Sequence, residues 1–415
     1  MTTPIQRPPR KNPVLRTRLP TAPPAARSRV ALGLTAGAAR GVFELQVCAD
    51  CGAVQYPPRE ACHACLSDKL AWEPQDGVGE LISETMLHLS YELFFRERVP
   101  WRLGMVRLDC GPVVIAHLHG DCTPAPSRVR VNACLDKAGQ AAMFAVPEKE
   151  TPDMSDDRQL REMTCDPKFR KILVTDGKTA VGQAIVRALA AAGADLIWVG
   201  HAEPWKKYAG FEELRALPQV TLLPLDLTNS RSVTEIVAEI GPKVDIVVNN
   251  AEYHRNFGIG ARLGIEAARA EMDVNYFGLL RLAQQLAPVM RSRGADTQSS
   301  AVAWVNLLSI FALTNFPPHG TYSASKAAAH SLAQCLRAEM QPAGVRVVNI
   351  YPGPIDDEWN QTLLPPKLTP QAIASAIVRA LQSGVEDVYP GDVAQEWLAR
   401  WRDNPKALER EVARG

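Results

Sequence analysis

The chain has 415 residues, which is more than one hydrophobic core usually serves, so we expect two or three domains. With 46% hydrophobic and 22% charged residues it has the composition of a globular protein, and its formal net charge of +1 excludes a field that would draw the whole chain to nucleic acid or anionic lipid. The sequence has no run of about 18 apolar residues, so we expect no membrane-spanning helix.

A polar arm comes first in chain order. Residues 1–30 are rich in proline and arginine and poor in large apolar groups, so we predict that they are disordered. The stretch Val30–Ala39 is too short and too directly followed by cysteines to favour a signal peptide. The nine cysteines are odd in number and irregular in spacing, which argues against a disulfide framework and favours a reducing cytoplasm.

Two cysteine pairs follow the arm. Cys48 and Cys51 are separated by ten residues from the second pair, Cys62 and Cys65. Four thiolates in a tetrahedral array suit structural zinc and leave no open coordination position for catalysis. An iron site of rubredoxin type has the same ligands and stays open as an alternative, and His63 could replace one cysteine.

Short strand-like runs follow the cysteines and are separated by glycine and proline. They predict a small barrel of OB type within a domain that spans residues 31–147. Residues 148–169 are polar and are predicted to form a linker. The predicted barrel strands are Gly79–Met86, Leu103–Leu108, Val113–Leu118 and Arg128–Val131.

This region resembles the family of rubredoxin-like zinc ribbons joined to an OB-fold. The resemblance rests on VCADCGAVQYPPREACHAC, GVGELISETML, VPWRLGMVRLD and GPVVIAHLHG, and is most specific at Tyr56-Pro57-Pro58-Arg59. It implies a protein that accompanies a thiolase-like or lipid-transfer-type aldolase subunit and handles CoA thioesters. An OB barrel could also bind nucleic acid, but Cys48–Cys65 holds one arginine and no lysine, so the basic groove is not evident.

From residue 170 to 415, short apolar runs alternate with amphipathic stretches such as Gly182–Ala192 and Ser323–Met340. The alternation predicts an α/β domain with a Rossmann-type, doubly wound parallel sheet. Seven strands are predicted, at Lys171–Thr175, Asp195–Gly200, Val220–Asp226, Val244–Asn249, Val302–Leu308, Val345–Tyr351 and Asp387–Tyr389.

One residue set in this domain carries chemistry. Tyr322 follows Ser309 by thirteen residues, and Lys326 lies one helical turn beyond Tyr322 on the same face. A tyrosine with an ordinary pKa near 10 moves protons poorly at neutral pH, but a neighbouring ammonium favours the phenolate. Ser309 at a strand end could bind a carbonyl or alcohol oxygen, and Asn275 on the preceding helix could hold a water that links Lys326 to solvent.

The arrangement resembles the short-chain dehydrogenase/reductase superfamily over nearly all of 170–415. The resemblance implies that Ser309 positions the oxyanion, Tyr322 is the general acid and base, Lys326 binds the cofactor ribose and tunes the phenol, and Asn275 supports the proton relay. Other cofactor-binding residues predicted by position are Thr175, Gly177, Lys178, Gly182, His201, Asp226, Asn249, Ala251, Pro352 and Gly353.

The cofactor loop departs from the family pattern Thr-Gly-x-x-x-Gly-x-Gly. It reads Thr175-Asp176-Gly177-Lys178-Thr179-Ala180-Val181-Gly182, so a carboxylate stands where it is expected to repel a pyrophosphate, and Gly177 is expected to take over the turn. Glu252 replaces the last glycine of Asn-Asn-Ala-Gly, and Asp357 stands where a threonine usually meets the carboxamide. Three carboxylates at cofactor-facing positions predict weakened or altered nucleotide binding.

The choice between NAD and NADP depends on the end of the second strand. His201 occupies a place where NADP enzymes often carry arginine, and Lys178 is close in sequence to the phosphate loop, which together slightly favour NADP. Asp226 resembles the residue that meets the adenine. It could instead cap the following helix, a role for which Asn229 competes.

Two functions stay open. The first is an NAD(P)-dependent oxidoreductase that interconverts a hydroxyl and a ketone on an acyl-CoA or a product of acyl-CoA cleavage, with the ribbon and barrel docking a thiolase-like or aldolase partner. The second is a non-catalytic scaffold subunit with a degenerate nucleotide site. Ala327, Ala328, Ala329 and Leu332 give the helix of Tyr322 a small-residue face, from which we expect a homodimer or tetramer.

Overall fold

The computed structural model describes residues 2–7, 22–256, 258–261, 263–294, 300–361 and 363–413. Within the arm predicted over residues 1–30, residues 1 and 8–21 therefore lie outside the described residues. The chain divides into two compact units. One comprises Met1–Asp166 with Gln382–Glu386, and the other comprises Pro167–Leu381 with Asp387–Gly415.

The first unit begins with a small antiparallel sheet that carries the cysteine pairs. After helix α1 (Leu32–Ala39), the strands are β1 (Glu44–Cys48), β2 (Val54–Gln55) and β3 (Leu70–Pro74), in the order β2-β1-β3. Each cysteine pair lies in a tight turn, and the second turn is closed by a hydrogen bond from the Leu66 N–H to the Cys62 carbonyl at 3.0 Å. This is the ribbon that the spacing predicted.

The rest of this unit is a closed barrel, as predicted, but it has five strands, and the strand Ala141–Pro147 was not among the four predicted ones. The strand order is β4-β5-β6-β8-β7. Alternating side chains along β5 and β6 point into its core, which includes Val106, Leu108, Val114 and Leu118. The barrel strands and one short helix are β4 (Val78–Leu87), α2 (Leu93–Arg96), β5 (Trp101–Leu108), β6 (Val113–Leu118), β7 (Ser127–Leu135) and β8 (Ala141–Pro147).

The segment predicted as a linker, 148–169, is packed rather than extended over most of its length. It forms two 3₁₀ turns, Met154–Asp156 and Leu160–Glu162. Gln159 is buried and binds the backbone of Arg102 through two hydrogen bonds, of 2.7 and 3.0 Å. Polar composition was here a poor guide, because the polar side chains of the segment find partners on the barrel.

The second unit is built on seven parallel strands in the order β11-β10-β9-β12-β13-β14-β15, which confirms the doubly wound sheet. The order reverses between β9 and β12, so the loops after these two strands diverge and leave a crevice. The strands are β9 (Lys171–Val174), β10 (Leu196–His201), β11 (Val220–Pro224), β12 (Ile246–Asn249), β13 (Ala303–Leu307), β14 (Arg346–Ile350) and β15 (Asp387–Val388).

Helices cover the sheet and bury it. β12, β13 and β14 are buried at every position, which explains why they read as continuous apolar runs rather than alternating ones. The helices are α3 (Ala180–Ala191), α4 (Phe211–Arg215), α5 (Ser230–Ile240), α6 (Glu266–Met272), α7 (Leu279–Arg291), α8 (Gly320–Met340), α9 (Pro370–Ser383), α10 (Asp392–Asp403) and α11 (Pro405–Val412). Among the described residues, no helix combines the length and apolar character needed to cross a bilayer.

Candidate functional site

The predicted site residues gather at the carboxyl ends of the parallel strands. Thr175 follows β9, Asn249 ends β12, Ser309 follows β13 and Pro352 follows β14. Tyr322 and Lys326 lie on the first turns of α8 and are both buried. Ligands of open parallel sheets bind outside these strand ends, at the point where the strand order reverses.

Thr175 ties the first of these loops to the next. Its hydroxyl accepts hydrogen bonds from the backbone N–H groups of Asn250 and Ala251, both at 3.0 Å, and donates to Asn249 Oδ1 at 3.3 Å. The Asn250 side chain binds the Asp176 N–H at 3.1 Å and the Asp176 carbonyl at 2.7 Å. Asn250 is thus a positioning residue of the loop, although the sequence reasoning did not single it out.

Asp176 is turned into its own loop. Its Oδ1 accepts a hydrogen bond from the Lys178 N–H at 3.0 Å. Burial raises the pKa of the carboxyl, which contacts with Lys178 and Thr179 partly offset. The Asp176 carboxylate therefore accepts a hydrogen bond from an N–H group of the loop that, in the family pattern, binds the phosphates of the cofactor.

Gly177 does not supply the turn conformation that its position suggested, since its φ lies outside the left-handed region. Its missing side chain matters for a different reason: a Cβ would lie 2.2 Å from Val199 Cγ1 on β10. At Gly182 a Cβ would lie 2.0 Å from the Asp176 carbonyl oxygen. Both glycines are required by close packing of the loop, one against the sheet and one against helix α3.

The end of β10 differs from the expectation for an NADP site. His201 is buried, and its ring packs edge-on against Tyr208 and Phe211, with centroids 6.0 and 5.9 Å away. The charged side chains here are instead the half-buried Glu203 and the exposed Lys178, which form an ion pair of 2.7 Å. The sequence signal that could have identified Glu203 is its position, since it is an acidic residue two positions after the end of β10.

Asp226 forms a local turn. Its Oδ1 accepts hydrogen bonds from the Thr228 N–H and hydroxyl, at 2.9 and 2.7 Å. The cap of α5 is Asn229, whose side chain accepts from the N–H groups of Arg231 and Ser232. Of the two residues that competed for the cap, Asn229 takes it.

The four predicted catalytic residues are all buried in this unit. The Ser309 hydroxyl accepts from the Phe311 N–H at 3.2 Å. Lys326 Nζ lies 5.5 Å from the centre of the Tyr322 ring and donates to the Leu307 carbonyl at 3.0 Å. Asn275 lies on a π-helical turn, Asp273–Gly278, an irregularity often found at functional sites.

The amide oxygen and both N–H groups of the Asn275 side chain have hydrogen-bond partners within the protein. Its Oδ1 accepts from the Tyr253 N–H at 2.9 Å, and its Nδ2 donates to the Tyr253 carbonyl and to Ser325 Oγ, at 2.9 and 2.8 Å. These bonds fix the course of the chain just after β12. In this arrangement Asn275 positions residues 251–255 around Tyr322.

Two residues of that stretch contact the catalytic set and were not predicted to do so. Glu252 Oε2 lies 2.8 Å from Lys326 Nζ and accepts a hydrogen bond from the Tyr322 hydroxyl at 3.1 Å. His254 stacks on the Tyr322 ring and lies 3.0 Å from a ring nitrogen of His319. The substitution of a glycine by Glu252 was noticed in the sequence, but its contact with Lys326 requires the folded loop.

The loop after β14 completes the site. The Pro352 carbonyl accepts a hydrogen bond from the Ile310 N–H at 2.9 Å, which joins this loop to the one after β13. A Cβ at Gly353 would lie 3.1 Å from Val393 on α10. Asp357 accepts three hydrogen bonds from Trp359 and Asn360, and burial followed by the Glu252 charge raises its pKa to about 6.

A nicotinamide dinucleotide is the cofactor that the resemblance implies, and most of the site fits it. Helix α3 presents its N-terminus, capped by Thr179, beside the close approach of Gly182. Lys326 and Tyr322, to which the resemblance assigns the ribose and the reacting oxygen, are both buried beside the carboxyl ends of the strands. The exception is Glu252, whose carboxylate accepts a hydrogen bond from the Tyr322 hydroxyl and forms an ion pair with Lys326.

The four cysteines of the ribbon form a separate candidate metal centre. Their sulfurs all lie within 4.8 Å of one another, and the Cys48–Cys65 and Cys51–Cys62 pairs are both 3.6 Å apart. Zinc–sulfur bonds of about 2.3 Å in a tetrahedron separate sulfurs by about 3.8 Å, so the residues fit the metal. Backbone hydrogen bonds lower the pKa of Cys62 to about 6, whereas the neighbouring thiols raise the pKa of Cys51 and Cys65, as expected for four thiols that crowd together.

Comparison with known protein families matches all three parts of the chain. Residues 35–71 match the ChsH2 rubredoxin-like zinc ribbon domain, and residues 72–135 match the ChsH2 C-terminal OB-fold domain. Residues 170–367 match the short chain dehydrogenase family. These matches confirm the resemblances that the motifs carried.

Individual relatives match the second unit. An uncharacterized oxidoreductase of Staphylococcus saprophyticus is 32% identical over 224 residues, which are 51% of this chain and 90% of that protein. A short-chain dehydrogenase from Burkholderia cenocepacia, solved in complex with NADP, is 32% identical, with a TM-score of 0.54 over 60% of this chain and 98% of the other. A putative short-chain dehydrogenase from Novosphingobium aromaticivorans, 20% identical with a TM-score of 0.51 over 58% of this chain and 87% of the other, shares the fold. The chain therefore belongs to the short-chain dehydrogenase family of oxidoreductases, and carries a zinc ribbon and an OB-fold domain ahead of the enzyme domain.

Proposed function

We propose that the second unit is an NAD(P)-dependent oxidoreductase that interconverts a hydroxyl and a ketone. The observation that carries the proposal is that Asn275, Ser309, Tyr322 and Lys326 are all retained and all buried at one end of the sheet. A scaffold has no chemical need for the complete set. NADP bound to the Burkholderia relative supports a nicotinamide dinucleotide as the cofactor. The burial of His201 and the presence of the acidic Glu203 beyond it remove the main argument for preferring NADP over NAD.

The dinucleotide, when bound, would supply or accept a hydride. The residues of this chain would do the rest. Ser309 would hold the oxygen of the ketone or alcohol, and Tyr322 would give that oxygen a proton or take one from it. Lys326 would hold the ribose hydroxyls and stabilise the phenolate of Tyr322, while Asn275 would keep the loop after β12 in position.

We further propose that the substrate is an acyl-CoA or a product of acyl-CoA cleavage, and that the first unit docks a thiolase-like or aldolase subunit in the cytoplasm. The match of residues 35–135 to the ChsH2 ribbon and OB-fold supports this association. The barrel also carries apolar side chains on its outside: Met105 and Ile115 are paired across β5 and β6 and are 43% and 63% exposed. Exposed apolar patches often mark protein interfaces.

The test is a titration of the purified chain with NADH and with NADPH, followed by fluorescence transfer from tryptophan to the nicotinamide. Binding of either nucleotide, together with turnover of a 3-ketoacyl-CoA or of a free ketone from a panel, supports the oxidoreductase. A mixture with candidate thiolase-like and aldolase subunits tests docking, with Ile115→Glu as the variant expected to weaken it.

A non-catalytic scaffold is the second candidate, and one observation favours it. Glu252 binds both Lys326 and Tyr322, so a carboxylate of the protein already occupies the place where a cofactor and a substrate oxygen would bind these two residues. A scaffold would dock its partner but would bind neither NADH nor NADPH at millimolar concentration. The same titration therefore separates the two candidates.

A further inference from the structure

Glu252 lies at the centre of the catalytic residues. It follows the Asn249-Asn250-Ala251 stretch at the end of β12, and its side chain is 10% exposed. Its Oε2 is 2.8 Å from Lys326 Nζ and 3.1 Å from the Tyr322 hydroxyl. One carboxylate oxygen thus contacts both groups that the proposed reaction needs.

The contacts of Tyr322 and Lys326 within the protein use the hydroxyl donor of Tyr322 and two of the three N–H donors of Lys326. Tyr322 has one hydroxyl proton, which it donates to Glu252. Lys326 has three N–H donors, of which one binds the Leu307 carbonyl at 3.0 Å and another faces Glu252. A ribose that is to bind Lys326, or a substrate oxygen that is to bind Tyr322, therefore competes with a carboxylate that the chain itself supplies.

The charges around Glu252 keep it in this position. Burial by itself would raise the pKa of Glu252, but the Lys326 ammonium and the hydrogen bond from Tyr322 hold it below its ordinary value. The carboxylate is therefore ionised at neutral pH. Burial and the Glu252 charge in turn raise the pKa of Tyr322 well above its ordinary value, with smaller contributions from Asp357 and Glu271.

We propose that Glu252 closes the catalytic site, and that a nicotinamide dinucleotide binds only when this carboxylate leaves Lys326 and Tyr322. The inference rests on the proposed oxidoreductase function and specifies how its cofactor is admitted. With Glu252 in place, the Tyr322 hydroxyl donates its only proton to the carboxylate and cannot donate to a substrate oxygen. Two of the three N–H donors of Lys326 are used within the protein, and its positive charge is paired with Glu252. Once Glu252 has moved, the ribose hydroxyls take its place on Lys326, and the ammonium acts on the phenol as in the family pattern.

Two variants of Glu252 and one matched control test this. Glu252→Gly removes the whole side chain, and Glu252→Gln keeps its size but removes its charge. Glu235→Gln is the control, because it removes a carboxylate charge from an exposed ion pair with Arg231 on α5, away from Lys326 and Tyr322. Thermal melts of all three variants and of wild type establish that each is folded.

The first measurement is the affinity for NADH and NADPH. We expect Glu252→Gly to bind at least about tenfold more tightly than wild type, since a charge-assisted hydrogen bond no longer has to be broken, and Glu235→Gln to bind with the affinity of wild type. Equal affinities of wild type and Glu252→Gly would overturn the inference but leave the oxidoreductase standing. If neither protein bound either nucleotide, both the inference and the proposed function would fail.

The second measurement needs no ligand. Difference absorbance between each protein and its Tyr322→Phe counterpart reports the pH at which Tyr322 ionises. We expect Glu252→Gln to ionise Tyr322 at a clearly lower pH than wild type, because Lys326 then faces the phenol without a competing negative charge. An unchanged midpoint would overturn the inference, and this readout remains available if Glu252→Gly does not fold.

Discussion

The imidazole of His254 stacks on the phenol ring of Tyr322, with centroids 3.7 Å apart and an angle of 17° between the ring planes. His254 also lies 3.0 Å from His319, so two imidazoles share one buried corner of the site. Burial lowers the pKa of His254 to about 3 and that of His319 to about 4. Both rings are therefore neutral in the folded protein at neutral pH.

This pair makes the enzyme domain sensitive to acid. In the unfolded chain both histidines protonate near their ordinary pKa of 6.5, whereas in the folded state they resist protonation until much lower pH. The unfolded state therefore binds more protons below pH 6.5, and the free energy of unfolding falls as the pH drops from 6.5 toward about 4. Thermal melts across this range should show a falling midpoint for the domain, with a shallower slope in His319→Gln. A slope unchanged by that variant would contradict the assignment to this pair.

The cysteine cluster should hold one metal ion per chain. We expect elemental analysis to find about one zinc, and Cys48→Ser to lose it, because three thiolates no longer complete the tetrahedron. Loss of the metal should unfold the ribbon and leave the enzyme domain folded, since the two compact units have separate cores. Cys335→Ser is the control, as Cys335 is an exposed cysteine on α8 outside the cluster. Freshly purified protein without zinc or iron would sink the prediction.

Tyr322→Phe should abolish turnover without weakening nucleotide binding. The hydroxyl moves a proton and holds a substrate oxygen, a contribution typically worth about 10²–10⁴-fold in rate, but it contributes little to dinucleotide binding. Lys326→Ala should reduce both turnover and affinity, because the ammonium serves ribose and phenol together. Steady-state rates and the nucleotide titration measure the two effects, with Tyr91→Phe on the exposed surface of the barrel as the control. Full activity of Tyr322→Phe would remove Tyr322 from the reaction.

Asp176→Asn should tighten nucleotide binding while preserving the loop. The asparagine Oδ1 can still accept from the Lys178 N–H, but the negative charge beside the expected pyrophosphate is gone. Asp176→Gly should also tighten binding, by less, because it gives up that hydrogen bond. Since burial raises the pKa of Asp176, wild-type affinity should increase as the pH falls and the carboxyl is neutralised, and Asp176→Asn should lose this dependence. A folded Asp176→Asn protein that bound nucleotide more weakly than wild type would refute the argument.

The enzyme domain should pair through the helix of Tyr322. Ala327 on α8 is exposed, and Phe277 on the π-helical turn that precedes α7 is 44% exposed, so small and apolar side chains are presented to solvent there. We expect a dimer or tetramer by light scattering, and a smaller assembly for Ala327→Arg. Ala191→Arg, at the exposed end of α3, is the matched control. A wild-type monomer at micromolar concentration would contradict the prediction.

The fold could be predicted almost completely from local patterns. All seven strands of the parallel sheet were visible as apolar runs, and each observed strand begins and ends within two residues of its predicted bounds. The cysteine spacing predicted the ribbon, because four thiolates need only two tight turns to meet. The packing of segment 148–169 was harder to predict, because its buried polar residues bind partners such as Arg102 that lie far away in sequence.

The sequence predicted which residues form the site, but it did not predict the contacts that these residues make. The spacing of Ser309, Tyr322 and Lys326 marked the catalytic set, because a helix places residues four apart on one face. The direction in which a side chain points could not be predicted from the sequence. The His201 side chain packs in an aromatic cluster, the Asp176 side chain binds its own loop, and the Glu252 side chain contacts Lys326. Each of these depends on packing between elements that sequence order does not bring together.

The ion pair of Lys326 with Glu252 also bears on the reactivity of the amine. An ammonium has no free electron pair on Nζ, and this one is 3% exposed, so an electrophile in solution meets neither a nucleophile nor an open path. A thioester that acylates surface lysines would therefore spare Lys326 while Glu252 holds it. The same carboxylate that closes the site would protect its lysine from the class of reagent that the enzyme is proposed to handle.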